Sequence, residues 1–169
     1  KTRLPSSRSC SIFTVQSTSP ENILLRLARE QEQQVVRIYE ELARRGFPQQ
    51  HQRPHVTVTF AQTMRTSVVG EAAVLLPPLL PAELERVGTV VFGTKSKQTV
   101  AWLLEAPDSL DDAARRLSAM NPDGRGPRWI PHLTMGLRLP KAIVPAYIEA
   151  LAPRRDRADL VEAEREVIG

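Results

Sequence analysis

Residues 53–60 read RPHVTVTF, and residues 130–137 repeat the arrangement as IPHLTMGL. Both stretches alternate polar and apolar residues in the way that is typical of a half-buried β-strand. Each has a histidine and a threonine two positions apart, and such side chains share one face of a strand, about 7 Å from each other. Two of the chain's 3 histidines occur here. We therefore predict two strands, called the HxT strands, that each have one core face and one reactive face.

The alternation assigns every residue of the HxT strands to a face. The polar faces are predicted to carry His55, Thr57 and Thr59 in the first strand, and His132, Thr134 and Gly136 in the second. The core faces are predicted to carry Val56, Val58, Phe60, Leu133, Met135 and Leu137. Two such strands side by side would bring two imidazoles and two hydroxyls into one small volume.

These four groups suit the chemistry of a phosphodiester. Its cleavage needs one proton removed from the attacking oxygen and another delivered to the leaving oxygen. A histidine with a pKa near its usual value of about 6.5 can do either at neutral pH. A threonine hydroxyl can donate to the non-bridging phosphate oxygens, which carry the negative charge. The residues leave open which histidine would be the acid.

The first half of the chain reads as strand, helix and HxT strand. A strand is predicted over residues 10–16. An amphipathic helix is predicted over residues 20–45, with Ser19 as its N-cap and Pro20 at its first position. A short helix before a proline-rich turn is expected within residues 61–82.

The second half is predicted to begin with two strands joined by a turn, over residues 83–94 and 99–106. Ser109 and Asp112 resemble a capping box that opens a helix before the second HxT strand. The last two predicted elements are a helix over residues 145–152 and a strand over residues 158–168. Because each HxT strand follows a helix and a loop, the order of elements suggests two similar halves.

Composition limits the class of protein. A length of 169 residues fits a single domain spanning residues 1–169, in which residues 1–9 are expected to form a flexible lead. The formal net charge of +4 and the pI near 9.7 favour an anionic partner. The single cysteine excludes an internal disulfide and suits a reducing compartment, and no segment is apolar enough to span a bilayer. We expect a cytoplasmic monomer without membrane contact.

The pair HVTV, residues 55–58, and HLTM, residues 132–135, resembles the two H-x-[T/S]-apolar signatures of the 2H phosphoesterases. The likeness is to their bacterial 2′–5′ RNA ligase-like branch, and it covers most of the chain. It includes ARRGF before the first motif, the VGTVVFGTKSKQTVAWLLEA hairpin and the SLDDAARRLS helix. The resemblance implies an α+β, bilobal fold: two pseudo-symmetric lobes of antiparallel sheet with flanking helices around a central cleft, each lobe giving one HxT strand.

The resemblance also implies an activity. It predicts a phosphodiesterase that needs no metal and no cofactor, and that acts on 2′,3′-cyclic phosphates or 2′–5′ bonds of RNA ends or small nucleotides. By this likeness His55 and His132 are the general acid/base pair, and Thr57 and Thr134 bind the phosphate. No G-x-x-x-x-G-K-[ST] loop is present in the sequence, which argues against a ligase driven by ATP.

Arg128 and Trp129 precede the second motif and are candidate substrate contacts. Arginine could hold a phosphate, and tryptophan could stack on a base. The competing interpretation is that Trp129 packs between the lobes while Arg128 is solvated.

Three other functions compete with the enzyme. The first is a non-catalytic module that binds RNA or nucleotides in the same cleft, and the second is a scaffold whose HxT faces fill an interface. The third is a zinc site made by His51, His55 and His132. Pro48 and Pro54 argue against the helix that would bring His51 and His55 together, so no metal is expected.

Overall fold

The computed structural model describes residues 22–152 in full and the backbone of residues 9–18, and within these ranges the chain is a mixed α+β protein. Its described strands are β1 (Ser9–Thr18), β2 (Asn22–Leu27), β3 (His55–Phe60), β4 (Ala82–Phe92), β5 (Lys97–Glu105) and β6 (His132–Pro140). Its described α-helices are α1 (Arg29–Arg44), α2 (Thr66–Leu75), α3 (Asp108–Met120) and α4 (Val144–Leu151). The predicted α+β class is confirmed.

The strands form one antiparallel sheet in the order β3-β2-β1-β4-β5-β6. The two HxT strands, β3 and β6, are therefore the edges of the described sheet. They nevertheless lie in contact with each other, so the sheet must curve strongly. This curvature, which depends on the whole sheet, brings two stretches that are distant in sequence to one place.

The helices pack against one face of the sheet. The buried apolar residues form a single cluster that takes Ile23, Leu25 and Leu27 from β2 and side chains from all four α-helices named above. Leu24 is also buried, at 3% exposure, but it lies outside this cluster because it alternates to the other face of β2. The sheet thus separates a helix-covered face from a second face, to which the HxT side chains belong.

The helix predicted over residues 20–45 is wrong in its first part. Asn22–Leu27 is strand β2, and α1 begins only at Arg29 with Ala28 as an N-cap that makes no side-chain bond. The sequence NILLRL is a nearly continuous apolar run, and such a run does not distinguish a strand buried on both faces from a buried helix. Ser19 and Pro20, the predicted cap and first residue, lie outside the described residues.

The predicted capping box of α3 is also wrong. Pro107 is the N-cap, it makes no side-chain bond, and the helix already includes Ser109. The acidic residues of its first turn, Asp108 and Asp111, instead favour this end through the helix dipole. The predicted paired strands and the helices within residues 61–82 and 145–152 are confirmed, and the predicted strand over residues 158–168 lies outside the described residues.

A β-bulge follows the His-x-Thr triplet in β3. Leu24 of β2 pairs with Thr57, but the next residue along β2, Ile23, pairs with Thr59. Val58 is therefore an extra residue that has no partner of its own in the ladder. The bulge reverses the alternation of side chains for the end of the strand.

The same irregularity occurs in β6. Ala101 of β5 pairs with Thr134, while Val100 pairs with Gly136, so that Met135 is the extra residue. The burial pattern along the first six residues of β6 is consequently identical to that of β3.

The bulges overturn part of the predicted face assignment. Thr59, expected beside His55, is buried at 5% exposure, whereas Phe60, expected in the core, is 46% exposed. In β6, Gly136 is likewise buried, and Leu137 is 44% exposed. One inserted residue moves every later side chain to the other face, and alternation counted along the sequence does not detect it.

Gly136 offers a test of this reversed face. An added Cβ would lie 2.6 Å from Cδ1 of Leu139 and 2.6 Å from Cε1 of Tyr147, both of them in the core. We expect Gly136→Ala to lower the free energy of unfolding in urea by about 1–3 kcal/mol through overpacking.

Gly70→Ala is the matched control, since nothing lies within 4 Å of a Cβ at this exposed position of α2. It should raise stability by about 0.5–1 kcal/mol, as alanine suits a helix better than glycine. Equal effects of the two substitutions would contradict the buried position of Gly136.

Candidate active site

The structure brings together the two histidines that the sequence singles out. His55 is the first residue of β3 and His132 is the first residue of β6. The rings are close enough for the charge of His132 to lower the pKa of His55. Both residues are half-buried, so each is held by the protein while part of it stays accessible.

Both imidazoles are held in the same way by the backbone. Nδ1 of His55 lies 2.7 Å from the carbonyl oxygen of Arg53, and Nδ1 of His132 lies 2.7 Å from that of Ile130. A carbonyl only accepts, so each Nδ1 must carry the proton, and Nε2 is the basic nitrogen of each neutral ring. Two like tautomers with a usable Nε2 suit proton transfer.

A proline occupies the position between each histidine and its acceptor carbonyl. Pro54 and Pro131 are both buried, and proline fixes its φ near −65°. The proline therefore restricts the backbone between each histidine and the carbonyl two residues earlier that its ring contacts. The prolines were part of the repeated sequence pattern, but this consequence was not predicted.

Thr57 and Thr134 lie two residues after the histidines, before the bulges, and both are half-buried. Their side chains therefore share the face of the imidazoles, as predicted. Their backbone carbonyls are held by side chains from elsewhere in the chain. The indole Nε1 of Trp129 donates to the Thr57 carbonyl at 2.9 Å, and the hydroxyl of Tyr39 donates to the Thr134 carbonyl at 2.6 Å.

The tyrosine hydroxyls remain donors over the whole physiological range. Burial raises the pKa of Tyr39, against the smaller opposing effect of a hydrogen bond with Gln52. Burial also raises the pKa of Tyr147 to about 12, and this hydroxyl donates to the carbonyl of Met135, the bulge residue of β6. Two protonated phenols thus fix two successive carbonyls of the second HxT strand.

Side-chain amides contact both HxT strands beyond their bulges. Nδ2 of Asn121 donates to Oγ1 of Thr59 at 2.9 Å and to the carbonyl of Phe60 at 2.8 Å. Oε1 of Gln50 accepts the backbone N–H of Leu137 at 2.7 Å. Both amides are buried and lie between a helix and the HxT strand that follows it, but each bonds the other HxT strand.

Arg26 of β2 is a charged residue of the site that the sequence did not reveal. It stands directly across the ladder from His55, so the two side chains share a face with Cβ atoms about 5 Å apart. Arg26 is only 9% exposed. Burial lowers its pKa, the neighbouring Arg53 acts in the same direction, and Glu32 opposes them.

This environment lowers the pKa of His55. Burial lowers its pKa most, and the charges of Arg26 and His132 add to the effect, while the hydrogen bond with the Arg53 carbonyl opposes it. The Arg53 guanidinium itself bonds Glu32 at 2.7 Å. His55 is consequently a neutral imidazole at neutral pH, ready to accept a proton.

His132 has a different neighbour. The ring of Phe92, the last residue of β4, lies with its centroid 4.6 Å from that of the imidazole, at an interplanar angle of 52°. Leu103 stands across the ladder from His132, where Arg26 stands across from His55. The two histidines therefore differ in what surrounds them, although their backbone geometry is the same.

The candidate substrate contacts next to the second motif lie in different environments. Arg128 is exposed in the loop before β6. Trp129 is buried at 8% exposure and belongs to the core cluster. Its indole N–H donates to the Thr57 carbonyl of β3. Trp129 therefore packs in the core, where it contacts the first HxT strand.

Among residues 22–152, no three histidine, cysteine or acidic side chains are grouped so that they could hold a metal ion. A shallow depression on the exposed side of α1 is lined by Glu32, Gln33, Val36, Arg37 and Glu40, and it contains no predicted site residue. None of the described helices is long and apolar enough to cross a membrane.

Comparison with known proteins gives no relative for this chain. No family model, no curated protein and no solved structure matches it. The function of the protein is consequently inferred from the geometry of the site itself.

The residues that the sequence did not reveal were hidden for specific reasons. Arg26 was read as part of a helix, where it would have had no strand partner. Tyr39 was one residue of an amphipathic helix, and Phe92 was one apolar residue of a strand. A sheet register was needed to connect any of them with a histidine.

The hydrogen bonds from the two tyrosine hydroxyls to β6 can be tested with a matched pair of substitutions. Tyr39→Phe and Tyr147→Phe each remove one hydroxyl that donates to a β6 carbonyl, so each should lower the free energy of unfolding by about 1–3 kcal/mol. Only Tyr39 bonds the carbonyl of Thr134, a predicted phosphate ligand. We expect urea unfolding to show both losses of stability.

The lowered pKa of His55 makes stability depend on pH. Below the unfolded value of about 6.5 the unfolded chain binds a proton that the folded chain resists, so the folded state loses stability as the pH falls. Between pH 7.5 and 5.5 the free energy of unfolding should fall more in the wild type than in His55→Gln. His51→Gln, at an exposed position, should behave as the wild type. An unchanged pH dependence in His55→Gln would contradict the assigned shift.

Proposed function

We propose that this protein is a phosphodiesterase that uses His55 and His132 as a general acid/base pair and Thr57 and Thr134 as phosphate ligands. The substrate class is RNA ends or small nucleotides that carry a 2′,3′-cyclic phosphate or a 2′–5′ phosphodiester bond. This is the reaction class that the resemblance to the 2H phosphoesterases implies. The basic character of the chain, with a net charge of +4, suits such an anionic substrate.

One observation carries the proposal: two imidazoles with matching backbone anchors lie on strands that contact each other, close enough for the charge of His132 to lower the pKa of His55. A structural histidine has no need of a second one held in the same tautomer beside it. A pair of acid/base groups does need this, because each Nε2 must be aligned with one of two oxygens on the same phosphorus.

We further propose that the fold consists of two pseudo-symmetric lobes around a cleft. Several features support this. The same bulge follows each HxT triplet, and the burial pattern along the two strands is the same. Each Nδ1 bonds the carbonyl of the residue two positions earlier in the chain. The reciprocal bonds from Tyr39 and Trp129, and from Gln50 and Asn121, also relate one half to the other. The cleft would lie between β3 and β6, on the face that carries the imidazoles.

The proposed reaction divides the work among the four side chains. One neutral imidazole takes the proton of the attacking water as its oxygen bonds to phosphorus. The bond from phosphorus to the leaving ribose oxygen breaks, and this oxygen takes a proton from the second imidazole. The threonine hydroxyls donate to the non-bridging oxygens, where they offset charge without any change in geometry.

Loss of either histidine is the direct test. We expect His55→Ala and His132→Ala each to lower kcat/KM by roughly 10²–10⁴-fold, because each removes one proton transfer. The assay should cover 2′,3′-cyclic nucleotides, ADP-ribose cyclic phosphate and 2′–5′ dinucleotides, and activity should persist after treatment with a strong chelator.

His51→Ala is the matched control and should keep its activity, because His51 is an exposed loop residue. Full activity in either of the other two variants would reject the proposal. Tight and salt-sensitive binding of these ligands without any product would instead identify a binding module.

A further inference from the structure

We propose that Arg26 of β2 is a phosphate-binding residue of the candidate active site, where its guanidinium holds a phosphate group of the substrate on the side of β3. The inference rests on the proposed function, because that function places a phosphate beside His55 and His132. It adds a ligand that the repeated HxT pattern does not contain. The position, the burial and the charge of Arg26 carry it.

Arg26 lies on the face of the sheet that carries the reactive side chains. It pairs with His55 across the β2–β3 ladder, and directly opposite side chains of an antiparallel pair share a face. The following pair on this face is Leu24 with Thr57, so Thr57 is the diagonal neighbour of Arg26, within reach of a long side chain. The guanidinium therefore belongs to the same part of the site as one imidazole and one threonine that are proposed to act on the phosphate.

The burial of Arg26 distinguishes it from the arginines on the surface. It is only 9% exposed, whereas arginine is mostly an exposed residue. Burial lowers its pKa, but a guanidinium keeps its proton in proteins, so the positive charge is permanent. A charge that is largely shielded from water acts more strongly on a neighbouring anion than a solvated one does.

The charges around Arg26 leave an excess of positive charge beside His55. Glu32 of α1 is the anion that acts on Arg26, and Arg53 is the second cation. The carboxylate of Glu32 lies 2.7 Å from the Arg53 guanidinium. Two positive charges and one negative charge give these three side chains a net charge of +1. A phosphodiester carries one negative charge, which matches this excess.

The second half of the site has an apolar residue at the corresponding position. Leu103 pairs with His132 as Arg26 pairs with His55. Since leucine is sufficient for packing beside one of the two histidines, packing does not explain a buried arginine beside the other. Two halves that match in their backbone thus differ in charge, and an anionic group of the substrate is expected to lie on the side of β3.

Arginine suits the task by its chemistry. Its planar guanidinium presents N–H donors in a fixed fork that can bond two oxygens of one phosphate, and such charge-assisted bonds are stronger than neutral ones. Thr57 and Thr134 would each add one neutral hydroxyl donor. Because arginine does not give up its proton, Arg26 would bind the phosphate and offset its charge, while the proton transfers stay with the two histidines.

Binding of adenosine 2′-monophosphate, a stable ligand with one phosphate, tests the proposal without any turnover. We expect isothermal titration calorimetry to show a dissociation constant that is about 10–100-fold higher in Arg26→Met, because hydrogen bonds to a charged group are lost. Arg26→Lys should weaken binding by a smaller factor, since an ammonium keeps the charge and lacks the fork.

Arg37→Met is the charge-matched control. Arg37 is exposed on α1, where its Nε donates to the carbonyl of Gln33, and the depression that it lines contains no proposed site residue. This variant loses one positive charge, as Arg26→Met does, and should keep the wild-type dissociation constant. A purely structural role of Arg26 would instead lower the stability of Arg26→Met in urea and leave the dissociation constant unchanged.

Adenosine 2′,5′-bisphosphate identifies which phosphate Arg26 binds. A loss of affinity by the same factor for both ligands places the guanidinium on the phosphate beside the histidines. A loss for the bisphosphate alone places it on a second phosphate of the substrate.

Equal dissociation constants in folded Arg26→Met and in Arg37→Met, for both ligands, would overturn the inference. Should Arg26→Met not fold, Arg26→Gln removes the charge and keeps a polar end, and the same comparison decides. The proposed function fails separately, if the wild type hydrolyses neither 2′,3′-cyclic nor 2′–5′ substrates, and the binding result for Arg26 does not depend on that outcome.

Discussion

The close approach of β3 and β6, the edge strands of the described sheet, is the constraint on which the site depends. Edge strands carry carbonyls that have no partner in the sheet, and a carbonyl that is buried without a donor costs free energy. Here the carbonyls of Thr57 and Thr134 receive hydrogen bonds from Trp129 and Tyr39, each at the triplet that carries a histidine. The donors come from distant parts of the chain, so the strands can meet only when the rest of the fold is in place.

The hydrogen bonds that hold the site come from side chains that are otherwise part of the apolar core. Trp129 and Tyr39 are both buried in the main cluster, and each offers one polar atom at its end. Asn121 and Gln50 add amide contacts to the two strands beyond their bulges. The imidazoles themselves are anchored by local carbonyls, and burial and nearby charges lower the pKa of His55.

Matching geometry with unequal surroundings is the main chemical feature of the molecule. Both histidines have the same bulge, the same preceding proline and the same kind of Nδ1 bond. They differ in their neighbours, because Arg26 lies beside His55 and Phe92 lies beside His132. An acid/base pair needs both conditions, because the two groups act on the same phosphorus but must start in different protonation states. The proposed reaction follows from the first condition.

The sequence by itself determined the two HxT strands, the paired strands between them, most of the helices and the histidine and threonine candidates, because each of these is a local pattern of period 2 or 3.6. Only the tertiary structure decided that Asn22–Leu27 is a strand, that Thr59 and Gly136 turn into the core, and that Arg26 stands beside His55. The physical reason is register: which residue lies opposite which, and where one is inserted, depends on pairing with another strand and leaves no periodic trace along the chain.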